Sequence, residues 1–502
     1  MDMNRLWKRI SVLFEREDTE VPVDESIMRR VDPAAFAVLS ALEDEGKDAF
    51  LVGGCVRDLL MGKEPHDWDI TTSARPEEIL HTAAQKGWKA VDGGGRRFGT
   101  VILSFDGKAF EVTAYRKEFY GADAHRPERV SFADSLEEDL QRRDFTVNAM
   151  ALSAGGILVD LFGGRKAIRK KMLYTVGPAA ERFSEDALRL FRACRFLGQL
   201  DFLADASLVE GMASAFSRVS GLSLERVREE LDKLIVTPHA GRGFDLMVRS
   251  GLAAQSCRVK ENEVYEEIPI LPELAHLVGL PQQKEFHKFD GWYHTLAVLE
   301  AASPVVLNRW AALLHDVGKG MPGIRAVRKG KLTDYGHDLK GADMAEEILS
   351  RHRRSPAFVS RVKWIVANHM KYHYYANVQE AVAIRWIRRM AREKVFSSQA
   401  EMAKAMEQIT DVCIADIVGC GKPYSAAKGH AAFGEYMKEL ALSMPVTAKE
   451  LHYDRRVPEV LGTWVKDGMS NLLLRVQTGS LENEPDALYE AACRFKKRKE
   501  KE

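Results

Sequence analysis

Two glycines, an arginine and a pair of carboxylates carry the first chemistry in this chain. Leu51-Val-Gly-Gly-Cys-Val-Arg-Asp58 reads as a glycine turn opening a short helix. His66-Asp-Trp-Asp-Ile70 reads as two carboxylates, Asp67 and Asp69, entering a β-strand. Strand side chains alternate, so residues two apart share a face. Convergent carboxylates hold Mg²⁺, and Mg²⁺ binds substrate phosphates. The Gly53 and Gly54 amides can come close to those phosphates, and Arg57 can clamp them with paired hydrogen bonds. The chemistry this implies is metal-dependent nucleotidyl transfer. Glu111 could be a third carboxylate of the site, or an ordinary exposed strand residue.

Further along, Arg142-Arg-Asp-Phe-Thr-Val-Asn148 reads as a helix start. Arg143 there can meet a triphosphate and Asn148 a ribose hydroxyl; a salt-bridged helix face is the plain alternative. Glu185-Asp-Ala-Leu-Arg-Leu-Phe-Arg-Ala-Cys-Arg195 follows, with Asp186 and Arg189 three apart on one helix and Arg192 and Arg195 behind them. A carboxylate can accept from an exocyclic amine while the guanidinium beside it donates to the adjacent ring nitrogen. Cytosine and adenine share that edge, whereas uracil and guanine do not, so such a site selects CTP and ATP together. The alternative is an intrahelical ion pair. Tyr115–Pro127 is polar, basic and aromatic, with Asp123 and Arg126 as candidates for gating or phosphate contact, or a solvated loop.

A separate set lies at His294, His315-Asp316, His337, His369 and Asp416. Imidazole and carboxylate ligands suit Mn, Fe, Co or Ni, and with more oxygen ligands Mg. An ordered set of this kind predicts a second divalent-metal centre, to be weighed against an inactive, structural one.

The elements that must position these groups differ between the two halves. A helix over 34–46, strands at 49–53 and 68–71, a helix over 76–87 and a hairpin about Phe105-Asp-Gly-Lys108 make the first 150 residues mixed α/β. After residue 165 helical periodicity dominates, with helices over 181–199, 224–235, 243–251, 293–303, 307–317, 342–352, 357–370, 380–392 and 399–417. The final Arg494-Phe-Lys-Lys-Arg-Lys reads as a frayed end or a phosphate-backbone contact.

At 502 residues, about two to four domains are expected. Lys+Arg and Asp+Glu are both 73, so a nucleic-acid partner needs local basic patches and not a global field. No apolar run approaches the ~18 residues of a membrane helix, and the N-terminus has no signal-peptide pattern. Six scattered cysteines without C-x-x-C spacing predict reduced thiols and a cytoplasmic location.

Gly53-Gly-Cys-Val-Arg-Asp58 with Asp67/Asp69, Arg142-Arg-Asp-Phe-Thr-Val-Asn148, Asp160-Leu-Phe-Gly-Gly164 and Glu185-Asp-Ala-Leu-Arg189 resemble the ordered motifs of class II tRNA nucleotidyltransferases. These are the bacterial-type CCA-adding enzymes and their poly(A) polymerase relatives. The resemblance implies an α+β chain: a polymerase-β-like nucleotidyltransferase head, then an all-α neck, body, HD domain and tail. It implies catalytic metal, Mg²⁺, at Asp67 and Asp69. It implies nucleotide contacts from Arg57, Arg143 and Asn148, and a protein template in Asp186 and Arg189. The histidine set resembles the HD phosphohydrolase superfamily, with Mn²⁺, Ni²⁺ or Mg²⁺ as its ion and phosphoesters as substrates.

The expected division is a lead over 1–24, a head over 25–160, neck and body over 161–285, an HD domain over 286–422 and a tail over 423–502. The expected function is template-independent addition and repair of the tRNA 3′-CCA from CTP and ATP. The expected partners are the tRNA 3′ end and the two nucleotides, with no membrane, for a monomer or homodimer. CC-only enzymes resemble this family with the Phe119–Pro127 loop shortened, so its presence favours CCA or A addition. The rivals are an A-adding enzyme or poly(A) polymerase of the same fold, and an HD phosphohydrolase with an RNA-binding head.

Overall fold

The computed structural model describes residues 18–92, 99–120, 127–377 and 380–502. Asp123 and Arg126 lie outside them. The chain divides into two compact units, Met1–Pro272 and Glu273–Glu502.

The first unit is built on a mixed sheet. Its strands in chain order are β1 (Glu20–Pro22), β2 (Ala49–Val52), β3 (Asp69–Thr72), β4 (Lys89–Asp92), β5 (Thr100–Phe105), β6 (Lys108–Ala114), β7 (Ala151–Ser153) and β8 (Ile157–Val159). Their spatial order is β1-β8-β7-β2-β3-β6-β5-β4. Part of the expected N-terminal lead is therefore a sheet edge, since β1 pairs antiparallel with β8. The β5–β6 hairpin closes through Asp106 and Gly107, both at positive φ, as its D-G signal predicts.

Helices α1 (Pro33–Asp44) and α3 (Pro76–Lys86) pack against the sheet, α2 (Gly54–Leu60) leaves the glycine turn, and α4 (Leu136–Gln141) precedes β7. Each of α1 and α3 begins where its sequence says it should. Asp32 accepts from the Ala34 and Ala35 amides ahead of Pro33, and Glu78 reaches back to the Arg75 amide beside Pro76. Val38, Leu39, Leu42, Ile79 and Ala83 bury against Leu51, Ile70, Val101, Leu103 and Val112. This core holds β3 between β2 and β6, and so fixes where the carboxylates emerge.

The neck differs from expectation at one place. The predicted 181–199 helix is two helices, α5 (Ala179–Glu185) and α6 (Leu188–Leu200), broken at Asp186. Asp186 is extended (φ −139°, ψ 104°), and its side chain accepts from the Leu188 amide. Competition of a short polar side chain for nearby backbone amides favours such a break. α6 then packs tightly on its neighbours. A Cβ on Gly198 would lie 2.4 Å from Thr237 Oγ1, and one on Gly243 2.3 Å from the Cys194 carbonyl.

The second unit is mostly helical, with α7 (Gly291–Ala301), α8 (Val306–Leu314), α9 (His337–Arg351), α10 (Pro356–Tyr375) and α11 (Gln399–Gly419). Its start falls ahead of the 285/286 boundary read from the sequence. Glu273 pairs with Arg351, and the His276 ring bonds the Lys319 carbonyl at 3.0 Å. The tail has its own small core of Val457, Leu461, Leu472, Val476, Leu488 and Phe495. The basic end is thus no frayed segment: its helix runs to Lys499 with Phe495 packed inside.

The α+β class holds, but the region after 165 is not all-α. Hairpins occur at Ser256–Glu261/Val264–Pro269 and Arg325–Arg328/Lys331–Asp334. The first turns through Asn262 and Glu263, both at positive φ, where no glycine signals the turn.

Candidate functional site

In the head, sheet register makes the carboxylate site. Asp69 and Glu111 are direct partners across the parallel β3–β6 pair, so their side chains leave the same face. Glu111 is exposed and Asp69 half-buried. The strand begins at Asp69, so Asp67 stands in the exposed loop just ahead of it and not within the strand. Burial first, then the charges of Glu111 and Asp67, raise the Asp69 carboxyl, against an opposing pull from Arg143. Two in-register carboxylates with a third in the loop just ahead of them make an oxygen donor set of the kind that suits a hard divalent cation.

The glycine turn faces this cluster. Gly53 has φ +75° and ψ −130°, a backbone region that only glycine enters readily. A Cβ there would lie 3.1 Å from Arg143 Nη1 and 3.6 Å from Asp69 Oδ2. The turn therefore touches both the metal-type carboxylate and a guanidinium. At Gly54 the nearest group is the Arg57 guanidinium, 3.5 Å from a built Cβ.

The arginines are arranged differently from the sequence reading. Arg57 is buried, and its fork is spent on its neighbour: Nε and Nη2 bond Asp58 at 2.9 and 3.0 Å. Its Nη1 donates to Asn148 Oδ1 at 2.8 Å. Arg142 to Asn148 is not a helix start. Arg142 caps the end of the Leu136–Gln141 helix, and Thr146–Asn148 form a single 3₁₀ turn. Sequence reasoning missed the organiser, Asp139, which is fully buried and bonds Arg142 and Arg143. Burial pushes the Asp139 carboxyl up, and the two guanidiniums bring it down to a net lowering. Its i,i+3 and i,i+4 spacing to those arginines was the available signal. Arg143 retains a buried Nε with no hydrogen-bond partner among the described residues.

The helix break reorganises the expected base-reading pair. Arg189 does not pair with Asp186. It bonds Glu185 at 2.7 Å and donates to the carbonyls of Arg182 and Arg142 at 3.1 and 2.8 Å. Asp186 is near Arg189, Arg192 and Arg226, yet burial outweighs their pull and raises its carboxyl. Arg192 is held by Asp144 at 2.7 Å, and Arg195 by Glu230 at 2.7 Å. Phe196 lies under the guanidiniums of Arg57, Arg192 and Arg195. Asp160 accepts from the Gly164 and Arg165 amides, so it caps the following helix.

In the second unit, the six predicted metal-type residues converge. His294, His315, His337, His369 and Asp316 are all buried. Asp316 divides the set. Its Oδ2 lies 3.3 Å from His294 Nε2 and 3.1 Å from His315 Nε2, and its Oδ1 lies 3.2 Å from His337 Nε2 and 3.9 Å from His369 Nε2. Asp416 Oδ1 is 3.2 Å from His294 Nε2. His294, His315 and Asp416 form one candidate ligand group, and Asp316, His337 and His369 another.

The imidazoles are oriented from behind. The Nδ1 atoms of His315, His337 and His369 each bond a backbone carbonyl at 2.7 Å, those of Ala312, Asp334 and Val366. This fixes Nε2 as the atom facing the centre, as in metal-ligating histidines. Two facing Nε2 pairs, His294–His315 and His337–His369, approach to 3.3 Å. Facing lone pairs at that distance need a proton or a metal ion between them, so the donor set fits a divalent cation. Burial would raise the Asp316 and Asp416 carboxyls; the histidines, with Lys319 at Asp316, hold both well below the usual range. Lys319, 2.6 Å from Asp316, and His373, 2.9 Å from Asp416, were not anticipated. A cavity of about 550 Å³ opens onto Asp316, His337 and Asp416.

Comparison with known proteins follows the same division. Residues 49–174 match the Poly A polymerase head domain family, residues 201–257 the family described as a probable RNA and SrmB-binding site of polymerase A, and residues 291–418 the HD domain family. The chain is 32% identical over 463 residues to a CCA-adding enzyme of Geobacillus stearothermophilus, covering 91% of this chain and 95% of the relative. It is 43% identical over 232 residues to a CCA-adding enzyme of Geobacillus sp. (strain WCH70), covering 46% and 56%. Its fold is similar to the crystal structure of the Bacillus stearothermophilus CCA-adding enzyme in complex with CTP, with a TM-score of 0.63 at 27% identity, over 94% of this chain and 100% of that one.

Proposed function

The chain belongs to the CCA-adding enzyme family, and we propose that it builds and repairs the 3′-terminal CCA of tRNA from CTP and ATP, releasing pyrophosphate. The observation that carries this reading is the in-register pair Asp69–Glu111, with Asp67 beside it and the Gly53 turn against Asp69. Mg²⁺ bound at Asp67 and Asp69 would supply Lewis acidity at the α-phosphate and lower the pKa of the primer hydroxyl. The chain's own groups do the positioning. Gly53 leaves room for a triphosphate against the turn, and the Arg143 guanidinium, whose Nη1 lies beside that turn, is the donor best placed to meet it. Arg57 steadies Asn148, which can hold a ribose hydroxyl. Asp186 offers the acceptor for the exocyclic amine of C or A, while Arg189, fixed by Glu185 and two carbonyls, sets the width of the base slot. Arg192 and Arg195 support that slot through Phe196.

The head over 25–160, the neck and body over 161–285, the HD domain over 286–422 and the tail over 423–502 are the functional segments of this reading. The HD centre would hold Mn²⁺, Ni²⁺ or Mg²⁺ and hydrolyse phosphoesters, supported by its cavity and its oriented imidazoles. A cytoplasmic location accords with six cysteines, none joined in a disulfide. No described helix is long and apolar enough to cross a membrane. The decisive experiment is incorporation of labelled CTP and ATP on tRNAs lacking CCA, CA or A. Addition of C and A by the wild type and none by Asp67→Ala is expected. Addition of A alone, and only to tRNA ending in CC, would exclude the full reaction.

A further inference from the structure

Beyond the signature ligands, the mouth of the HD cavity carries a thiol and an imidazole that the proposed hydrolysis does not use. Cys420 caps α11 one turn past Asp416, and His287 stands opposite; both line the cavity. Cys420 Sγ lies 3.4 Å from His287 Nδ1 and 4.0 Å from Asp416 Oδ1. Asp416 Oδ1 is in turn 3.2 Å from His294 Nε2. The two segments are also tied by backbone, the Lys288 amide donating to the Cys420 carbonyl. His287 and His294 meet edge to face at 4.8 Å. His294 is fully buried and leaves its Nδ1 without a hydrogen-bond partner.

These separations can be set against coordination geometry. Zn–S near 2.3 Å and Zn–N near 2.0 Å at a tetrahedral angle put sulfur and nitrogen ligands about 3.5 Å apart, and nitrogen and oxygen ligands slightly closer. The observed 3.4 Å Sγ–Nδ1 and 3.2 Å Nε2–Oδ1 edges match, and the 4.0 Å Sγ–Oδ1 edge needs only a side-chain adjustment. We propose that Cys420, His287, Asp416 and His294 form a sulfur-containing subsite at the cavity mouth that takes a thiophilic divalent cation of the zinc class.

The subsite shares Asp416 and His294 with the nitrogen–oxygen centre behind it. A cation seated there withdraws two ligands from that centre, so the two occupancies compete. Coordination expels the thiol proton to solvent and leaves a thiolate on the metal. Thiolate selects zinc-class ions over Mg²⁺ and Mn²⁺, which the inner donors accept. The HD centre then senses which metal is present: Mg²⁺ or Mn²⁺ supports it, and a zinc-class ion draws it apart. The inference rests on the metal-binding reading of the HD residues only through the two shared ligands.

The test uses Co²⁺ as the probe, titrated into the full-length chain and followed by absorption and by bound cobalt per chain. Thiolate ligation gives a near-ultraviolet sulfur-to-cobalt charge-transfer band, and nitrogen–oxygen ligation gives only weak visible bands. The wild type is expected to show the charge-transfer band, Cys420→Ser to lose it, and His287→Ala to weaken it. Cys420→Ser is nearly isosteric, and circular dichroism checks that each variant is folded. A band that persists in Cys420→Ser would assign it to another cysteine and overturn the proposal. Bound cobalt with visible bands and no charge-transfer band in the wild type would also overturn it, while leaving the inner centre intact. No bound cobalt at all would overturn the subsite together with the metal-binding reading of the inner centre, whereas a charge-transfer band with a single bound cobalt would keep the subsite and count against the inner centre.

Discussion

Replacing Gly53 by alanine separates the glycine turn's role as backbone from its role as part of a site. Two costs are visible in the structure. The first is conformational: φ +75° with ψ −130° is open to glycine almost alone, and forcing another residue there costs about 1–3 kcal/mol. The second is local crowding, with a Cβ 3.1 Å from Arg143 Nη1 and 3.6 Å from Asp69 Oδ2. The guanidinium is the softer of the two and must retreat by a few tenths of an ångström. A misplacement of about 1 Å costs on the order of 10²-fold in rate, so a retreat of this size predicts a fall of about tenfold. That equals about 1.4 kcal/mol of transition-state stabilisation.

The control is Gly46, which also has positive φ (+72°) but no atom within 4 Å of a built Cβ. Gly46→Ala carries only the backbone cost of about 1–2 kcal/mol. Thermal denaturation should therefore show both variants destabilised. Initial rates of labelled CTP incorporation on tRNA lacking CCA should fall about tenfold in Gly53→Ala and stay near wild type in Gly46→Ala. Equal rates in the two variants would show that Gly53 only turns the chain, and would remove it and Arg143 from the site.

Asp69→Asn should raise stability at neutral pH while abolishing incorporation. Its folded pKa is raised, so the native state takes up the proton more readily than the unfolded chain, and this carboxyl favours folding increasingly as pH falls through that pKa. At neutral pH the ionised group is a burden, which the amide relieves; a lower melting temperature for Asp69→Asn at pH 7 would contradict the clustered-carboxylate picture. Gly243→Ala would press a methyl to 2.3 Å from the Cys194 carbonyl and force α6 off its neighbour. Overpacking of this kind costs about 1–3 kcal/mol, to be read from denaturant midpoints, with loss of discrimination of CTP and ATP against UTP and GTP if α6 carries the base slot. Chelation should lower the melting temperature of the HD-containing unit, and re-addition of a divalent ion should restore it. Saturation at 100 times Kd contributes about 2.7 kcal/mol, and an unchanged melting temperature with EDTA would speak against the centre.

What could be read from the sequence, and what could not, divides by range. The β2–turn–α2–β3 run was legible because its signals are local: a buried strand, two glycines, and carboxylates bounding a short apolar stretch. The convergence of the six HD-region residues was legible because six scattered positions of rare residue types form one ordered pattern. The partners of the arginines divide the same way. Asp139 and Glu185 carry a local signal in their i,i+3 and i,i+4 spacing, whereas Asp144 and Glu230 look like ordinary helix-surface acids, and only the fold brings Asp144 to Arg192 or Glu230 to Arg195. The break at Asp186 was hidden because apolar periodicity continues on both sides of it. The Asn262–Glu263 hairpin was hidden because positive φ there is taken by residues that do not announce it.

The arginine partners bear on how the head can choose a base. A chain with equal numbers of acidic and basic residues can give each buried guanidinium a carboxylate, and this one does so for Arg57, Arg189, Arg192 and Arg195. Pulling Arg192 or Arg195 away to grip a phosphate would strand the buried carboxylate of Asp144 or Glu230, at a cost of about 3–5 kcal/mol. These arginines therefore act as fixed walls more readily than as moving clamps. Among the described residues beside the glycine turn and the helix break, Arg143 keeps an Nε without a hydrogen-bond partner, and Asp186 keeps a carboxyl that is raised despite three neighbouring guanidiniums. An acceptor on rigid walls is suited to reading an exocyclic amine, the one group that cytosine and adenine share and that uracil and guanine lack at that edge. On the proposed reading, selection of C and A together would follow from immobility: a slot whose arginines could swing would reshape itself around a carbonyl edge as easily as around an amine.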